Sequence, residues 1–272
     1  MVLQLEWLQD SLTSMDSGTP TEDLLKIASI MEDAVGLLIK ELSSTPSIGT
    51  YESEVEGRVL LWSLIRHLEA IYELMRRDIR LIPAAFTLAR SCFEISTRIK
   101  WLLAPKNVFA RESRYLAQLK EEAEYLKGIS ELASPNSTTA NWLARSEQIL
   151  KFHDEVSARL PRNTKLTRNV PKLRDMLKQL GIEERYLMYR VLSQTAHGMH
   201  AGGNFYRENL GISKVLKEPD QSNWHYLIFT TWVEFCECGD RILECANYKS
   251  DKSIFFELDL ELRIIIQRLK GH

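Results

Sequence analysis

Glycine and proline are scarce in this chain, at 12 and 8 of 272 residues, which suits long helices joined by few turns. Cysteine is scarcer still, with Cys92, Cys236, Cys238 and Cys245 the four present. Cys236 and Cys238 point about 200° apart on a continuous helix, so they cannot chelate one metal from it. We read all four as small hydrophobes in a reducing, cytoplasmic setting. His197 and His200 have a metal-pair spacing, but no third ligand follows at a recognisable distance, and neither a metal nor a cofactor is expected. No run approaches the ~20 apolar residues of a membrane span. The first ten residues carry acids and no basic stretch, so no secretory leader is expected. An excess of one charge is lacking too: a net charge of −2 excludes a globally basic nucleic-acid binder and leaves room for a local basic patch.

No run has strand period between turn signals, and no internal repeat is seen. Helical periodicity runs almost throughout. It gives a short arm at 2–14, then helices near 22–42, 52–80, 84–103, 107–133 and 138–160. A short helix between Pro171 and Gly181 follows, then helices near 183–200, 222–248 and 253–270, with a loop at 201–221. Ser43 to Thr50, holding Pro46 and Gly49, is the clearest linker. The expected fold is all-α, a multi-helix bundle of eight to ten helices. Residues 1–50 form an N-terminal arm and linker, and 51–272 the bundle domain. The apolar face of the 52–80 helix is read from Val59, Leu60, Leu64, Leu68, Ile71 and Met75.

Residues 189–197, Tyr-Arg-Val-Leu-Ser-Gln-Thr-Ala-His, carry the most chemistry. Seven residues fall about 20° short of two helical turns, so Arg190 and His197 project from the same side, with Ser193 between them and Tyr186 one turn earlier. Met188, Leu192, Ala196 and Met199 lie roughly opposite and read as the core face. The polar stripe has no Glu or Lys, the usual solvent-facing fillers, and it holds the side chain that titrates near neutrality. A cation, a hydroxyl and an imidazole in line can hold a phosphate and move a proton beside it. The same pattern also suits a surface helix, or a scaffold whose polar core the stripe organises.

The helix at 84–103 is apolar on both sides. Leu88, Ile95, Ile99 and Leu102 make one face, and Phe86, Phe93 and Trp101 flank the other, which places the helix centrally. Arg90 and Glu94, one turn apart among those aromatics, should be paired. They form either a structural ion pair or part of the motif pocket, with Glu94 orienting a group on the motif helix. Between Arg159 and Lys178 a second feature stands out: Arg159, Arg162, Lys165, Arg168, Lys172, Arg174 and Lys178 face one acid, Asp175. Such a surface binds phosphate backbones, although a solvated basic loop is the alternative. No aromatics are interleaved between Arg159 and Gly181 to stack bases.

Arg-Ser-Cys-Phe-Glu-Ile-Ser-Thr-Arg-Ile-Lys-Trp-Leu at 90–102, followed by the 189–197 segment, resembles a family of uncharacterised helical bacterial proteins. That family's pattern is Arg-x3-Glu-x6-Trp and then Leu-Ser-x3-His. The second segment is also similar to the HEPN signature, an arginine followed after four to six residues by histidine. The resemblance covers roughly residues 60–200. It implies a HEPN-like core and a metal-independent endoribonuclease of the toxin–antitoxin or antiviral-defence kind, with Arg190 and His197 as the catalytic pair. Many active members have a polar residue directly after the arginine, where this chain has Val191. A catalytically silent module binding a nucleotide, RNA or a protein is the alternative.

Physical chemistry sets one further requirement. Cleavage at a 2′-hydroxyl needs a base, an acid and positive charge at the phosphorane, which histidine and arginine supply without metal. On one helix the two residues lie about 10 Å apart along the axis, and helical side chains lean toward the N-terminus, so Arg190 leans away from His197. Two motif helices packed antiparallel across a two-fold axis would bring Arg190 of one chain near His197 of the other. A homodimer is therefore expected, with RNA as partner and an antitoxin or activating protein besides. Ser193 and Tyr189 would be auxiliary donors to phosphate, Glu94 and Arg90 would line the pocket, and Arg159, Arg162, Lys165, Arg168, Lys172 and Arg174 would hold the RNA backbone.

Overall fold

The computed structural model describes residues 18–45, 51–132, 137–196, 221–246, 248 and 252–270. Nine α-helices and no strand occur among them: α1 (Glu22–Ser44), α2 (Glu52–Arg77), α3 (Ile82–Leu103), α4 (Val108–Leu132), α5 (Ser137–Arg159), α6 (Leu173–Gln179), α7 (Tyr186–Ala196), α8 (Ser222–Cys245) and α9 (Phe256–Lys270). The protein is an all-α multi-helix bundle. The arm at 2–14, most of the 43–50 linker and the 201–220 loop lie outside the described residues.

Helix boundaries follow local chemistry. Thr21 caps α1, its Oγ1 accepting from Leu24 N at 3.5 Å, with Glu22 and Asp23 in the positively polarised first turn. Asp78 stops α2 and caps a 3₁₀ turn at Ile79–Leu81 by accepting from Arg80 N at 2.9 Å. Pro83 sits in the first turn of α3, where its missing N–H costs nothing. Asn107 Oδ1 accepts from Phe109 N at 2.8 Å and starts α4. Gly181 ends the α6 turn at φ 73°, a left-handed position that suits glycine.

α3 is the centre of the bundle, packed against α2, α8, α7, α6 and α4. Ala85, Ala89, Cys92 and Ile99 on it are fully buried, and so are Phe93 and Trp101 on its other flank. Leu64, Leu68, Ile71 and Met75 of α2 face it, together with Phe235 and Ile242 of α8. α1 inserts Leu24, Ile27, Met31 and Leu38 into the same core and packs between α2 and α9. α4 and α5 pair lengthwise, with Ser146 Oγ donating to Ala123 O at 2.9 Å. One face was misread in the sequence. Val59 is 57% exposed, and Leu61 is buried in its place. Leu61, Leu64, Leu68, Ile71 and Met75 keep strict 3-and-4 spacing, and Val59, two residues earlier, falls on the opposite side.

None of the described helices is long and apolar enough to cross a membrane. Cys92 and Cys238 are fully buried and free, as expected for small hydrophobes. Cys245 departs from that reading, because its half-buried Sγ accepts from Arg111 Nη1 at 2.8 Å.

Candidate functional site

The motif segment begins as a 3₁₀ turn at Glu183–Arg185 and becomes α7 at Tyr186. His197, His200, Met199, Gly202 and Gly203 lie outside the described residues. α7 packs on α3, the helix singled out beside it in the sequence. Tyr189 provides the junction. Its ring stacks on Phe93 at 6.0 Å and meets the tilted Tyr186 ring at 5.7 Å, and its hydroxyl donates to Glu94 Oε1 at 3.0 Å. Arg90 completes the cluster: its Nη2 is 3.1 Å from Glu94 Oε1 and 3.4 Å from the Tyr189 oxygen, and its guanidinium lies 5.7 Å over the Tyr189 ring. The Arg90–Glu94 pair is thus an ion pair and also a contact of the motif helix. Tyr189, expected as a donor to phosphate, has its proton committed to Glu94 instead.

The remaining motif residues divide between the two sides of α7. Leu192 is fully buried, Met188 and Ala196 are half-buried, and Arg190 is exposed. Ser193 Oγ is buried with no hydrogen-bond partner among the described residues. It therefore does not share the open side with Arg190, because it lies on the boundary where α7 meets the bundle. Leu187 is 71% and Val191 40% exposed, one turn apart on the open side.

The basic segment reaches α7 from one side. Arg159, Arg162, Lys165, Arg168, Lys172 and Arg174 are all exposed. The segment crosses α4 at Ser113, whose Oγ donates to Lys165 O at 3.2 Å and accepts from Thr167 N at 2.5 Å. Lys172 then lines a cleft of about 240 Å³ with Glu94, Arg98 and Glu121. Arg174 lies 5.7 Å over the Tyr186 ring and pairs with Glu183 at 2.8 Å. Lys172 and Arg174 therefore stand beside the cluster that holds α7.

A buried ionic network under α7 was missed in the sequence. Lys100 Nζ of α3 lies 2.5 Å from Glu234 Oε2 and 2.9 Å from Glu237 Oε2 on α8. Arg185 Nη1, just ahead of α7, lies 3.1 Å from Glu234 Oε1, and its Nη2 is 2.6 Å from Glu237 Oε1. Ser96 also donates to Glu234. Two cations and two carboxylates close the charge balance. Burial pulls the Lys100 ammonium down, but the Glu234 and Glu237 charges and the Glu234 hydrogen bond are among the influences that together outweigh it, so its pKa stands above the ordinary lysine value. Burial pushes Glu237 up, and the hydrogen bond from Arg185 with the Lys100 charge reverses that, holding it below the ordinary range. The signal was present: Lys100 lies in the run Ile99-Lys100-Trp101-Leu102-Leu103, and Glu234 lies between Trp232 and Phe235. A charge inside an apolar run is a paired charge.

Among the described residues, no group of three or more His, Cys, Asp or Glu side chains could hold a metal ion. The pattern of a family of unknown function (DUF5677) matches residues 58–211, a span that runs from α2 through the motif helix. No curated protein and no solved structure matches the chain.

Proposed function

The chain belongs to the DUF5677 family, and we propose that it is a HEPN-like, metal-independent endoribonuclease whose site is shared between two copies. The observation that carries this reading is the setting of Arg190. It is exposed on a helix held to the bundle by Tyr189, with Leu187 and Val191 beside it and the Lys172–Arg174 end of the basic segment nearby. Leu187 and Val191 suit burial against a second motif helix, which is the arrangement that brings Arg190 of one chain to His197 of the other. In that site His197 moves the proton of the 2′-hydroxyl, and Arg190 stabilises the extra negative charge of the phosphorane. The Arg159–Arg174 cations neutralise the strand. Val191, which stands where active HEPN relatives carry a polar residue, favours a second reading, a silent RNA-binding module on the same surface.

Cleavage of a mixed RNA pool in EDTA tests the proposal, with wild type beside Arg190→Ala and His197→Ala, and circular dichroism and light scattering as controls. Cleavage lost in each variant and partly restored on mixing the two identifies the shared site, because each mixed dimer has one intact pair. A folded wild-type dimer that binds the pool without cutting it selects the silent module. A protein that neither binds nor cuts RNA refutes both readings.

A further inference from the structure

The sequence offered no aromatic residues within the basic segment to stack bases, but the fold brings two to its beginning. Tyr51 precedes the first turn of α2, Phe109 lies in the first turn of α4, and their rings meet edge to face at 6.4 Å. With Glu112, Val156, Leu160 and the exposed Arg159 they line a cleft of about 210 Å³. This is smaller than the roughly 300–1,000 Å³ of sites for drug-sized ligands, and it suits one planar ring system.

We propose that the Tyr51–Phe109–Arg159 cleft is a nucleobase-binding subsite that anchors single-stranded RNA at the far end of the basic segment. The choice of RNA rests on the functional reading above. The contacts of the segment give it direction. It begins at Arg159 on the rim of this cleft and is held at Lys165 and Thr167 by Ser113, one turn along α4 from Phe109. It then passes Glu94 and Arg98 at Lys172 and ends with Arg174 over Tyr186, at the start of the motif helix. Cations follow one another along the whole path, with the aromatic cleft at one end and Arg190 at the other.

The acids in the cleft sort base from backbone. Glu112 is buried, and its Oε1 accepts from Ser53 N at 2.7 Å, leaving Oε2 to accept from the exocyclic amine of a base. Glu52 adds a second negative charge to the lining. A phosphate is repelled there and drawn to the adjacent cations, so the two parts of a nucleotide go to different places. A paired base keeps its faces stacked and its Watson–Crick edge occupied, so a duplex cannot use the cleft.

The test uses the full chain and a short single-stranded 2′-O-methyl RNA carrying one 2-aminopurine, which 2′-hydroxyl chemistry cannot cleave. Wild type should quench the probe on binding. Tyr51→Leu and Phe109→Leu, which keep apolar volume, should lose the quenching and about tenfold in affinity. Tyr51→Phe should keep both, and affinity for a duplex of the same sequence should not change. Leucine variants that bind and quench like wild type overturn the subsite. A wild type that cleaves the RNA pool but does not quench the probe also overturns it, and leaves the ribonuclease reading intact. Quenching without cleavage does the reverse.

Discussion

Tyr189 donates its hydroxyl proton to Glu94 at 3.0 Å while its ring stacks on Phe93, so one residue of α7 engages two adjacent positions of α3. The two interactions can be taken apart. Tyr189→Phe keeps the ring and removes one hydrogen bond, a loss of about 1 kcal/mol. Tyr189→Ala also removes the ring contacts with Phe93 and Tyr186 and should cost clearly more, about 2–3 kcal/mol for a half-buried ring. Urea unfolding of both variants measures the split. Equal losses would show that the ring contributes nothing and that the hydroxyl alone holds α7.

The network of Lys100, Glu234, Glu237 and Arg185 holds the entry to α7 from below. Glu234→Ala leaves Lys100 and Arg185 short of a buried counter-charge and should cost about 3–5 kcal/mol. Replacing both partners, as Lys100→Met with Glu234→Leu, should cost less than Glu234→Ala alone, because no charge is then stranded. A double variant less stable than Glu234→Ala would mean that the network is net stabilising. Its pH dependence has two limbs. Glu237 has a depressed pKa, so its contribution is present above the unfolded carboxyl value near ~4.3 and fades as pH falls through the lower folded value. Lys100 has a raised pKa, so its contribution is present below the unfolded value near ~10.4 and fades as pH rises through the higher folded one. Stability of the wild type should be level across neutral pH, and thermal melts should show the double variant losing the alkaline limb of Lys100 and keeping much of the acid limb, because Arg185 still pairs with Glu237.

Helix positions were largely legible because capping and punctuation are local. Thr21, Asp78, Pro83, Asn107 and Gly181 mark boundaries by chemistry that acts within four residues. The centrality of α3 could be read for the same reason, since an apolar helix with two faces has to be covered on both. Partnering was harder. That Glu94 meets Tyr189, and that Lys100 meets Glu234 and Arg185, depends on contacts between residues far apart in the chain, and spacing along one helix does not encode them. The sequence presented Ser193 and Arg190 as one stripe, yet the fold buries one and exposes the other, because a stripe on the boundary of a helix splits when a neighbour covers one edge. The aromatic cleft was invisible for a related reason: Tyr51, Phe109 and Arg159 come from three separate parts of the sequence.

Four helical glycines should answer differently to alanine. A Cβ at Gly36 or Gly128 meets nothing within 4 Å, so Gly36→Ala and Gly128→Ala should each stabilise by about 0.8–1.0 kcal/mol through helix propensity alone. At Gly239 the added atom lies 2.9 Å from the buried Phe255 ring, which Trp232 and Phe235 enclose, so Gly239→Ala should be destabilising despite the same propensity gain. Gly57 is the intermediate case, with Leu103 Cδ1 at 2.9 Å and Ile242 Cδ1 at 3.3 Å, both at the ends of flexible side chains. Thermal melts of the four variants should rank Gly128 and Gly36 above wild type and Gly239 below it, with Gly57 between. A Gly239→Ala protein that melts higher than wild type would contradict the tight packing of α8 on Phe255.

The shared-site proposal makes its own demand on the open side of α7. Leu187 and Val191 lie one turn apart there, exposed, and burying them fully would contribute about 1.5–3 kcal/mol per side chain in each copy. Leu187→Asp puts a charge where two motif helices would meet, and because Leu187 is 71% exposed in the single chain it should leave the fold unharmed. The expected result is a monomer by light scattering, with an unchanged helical circular dichroism spectrum and no RNA cleavage. Arg190→Ala differs in a useful way: it should abolish cleavage and leave the dimer in place. A Leu187→Asp protein that remains dimeric would move the two-fold axis away from α7. Arg190 and His197 of different chains would then not meet, and the shared site would fail on geometry whatever the RNA assay gave.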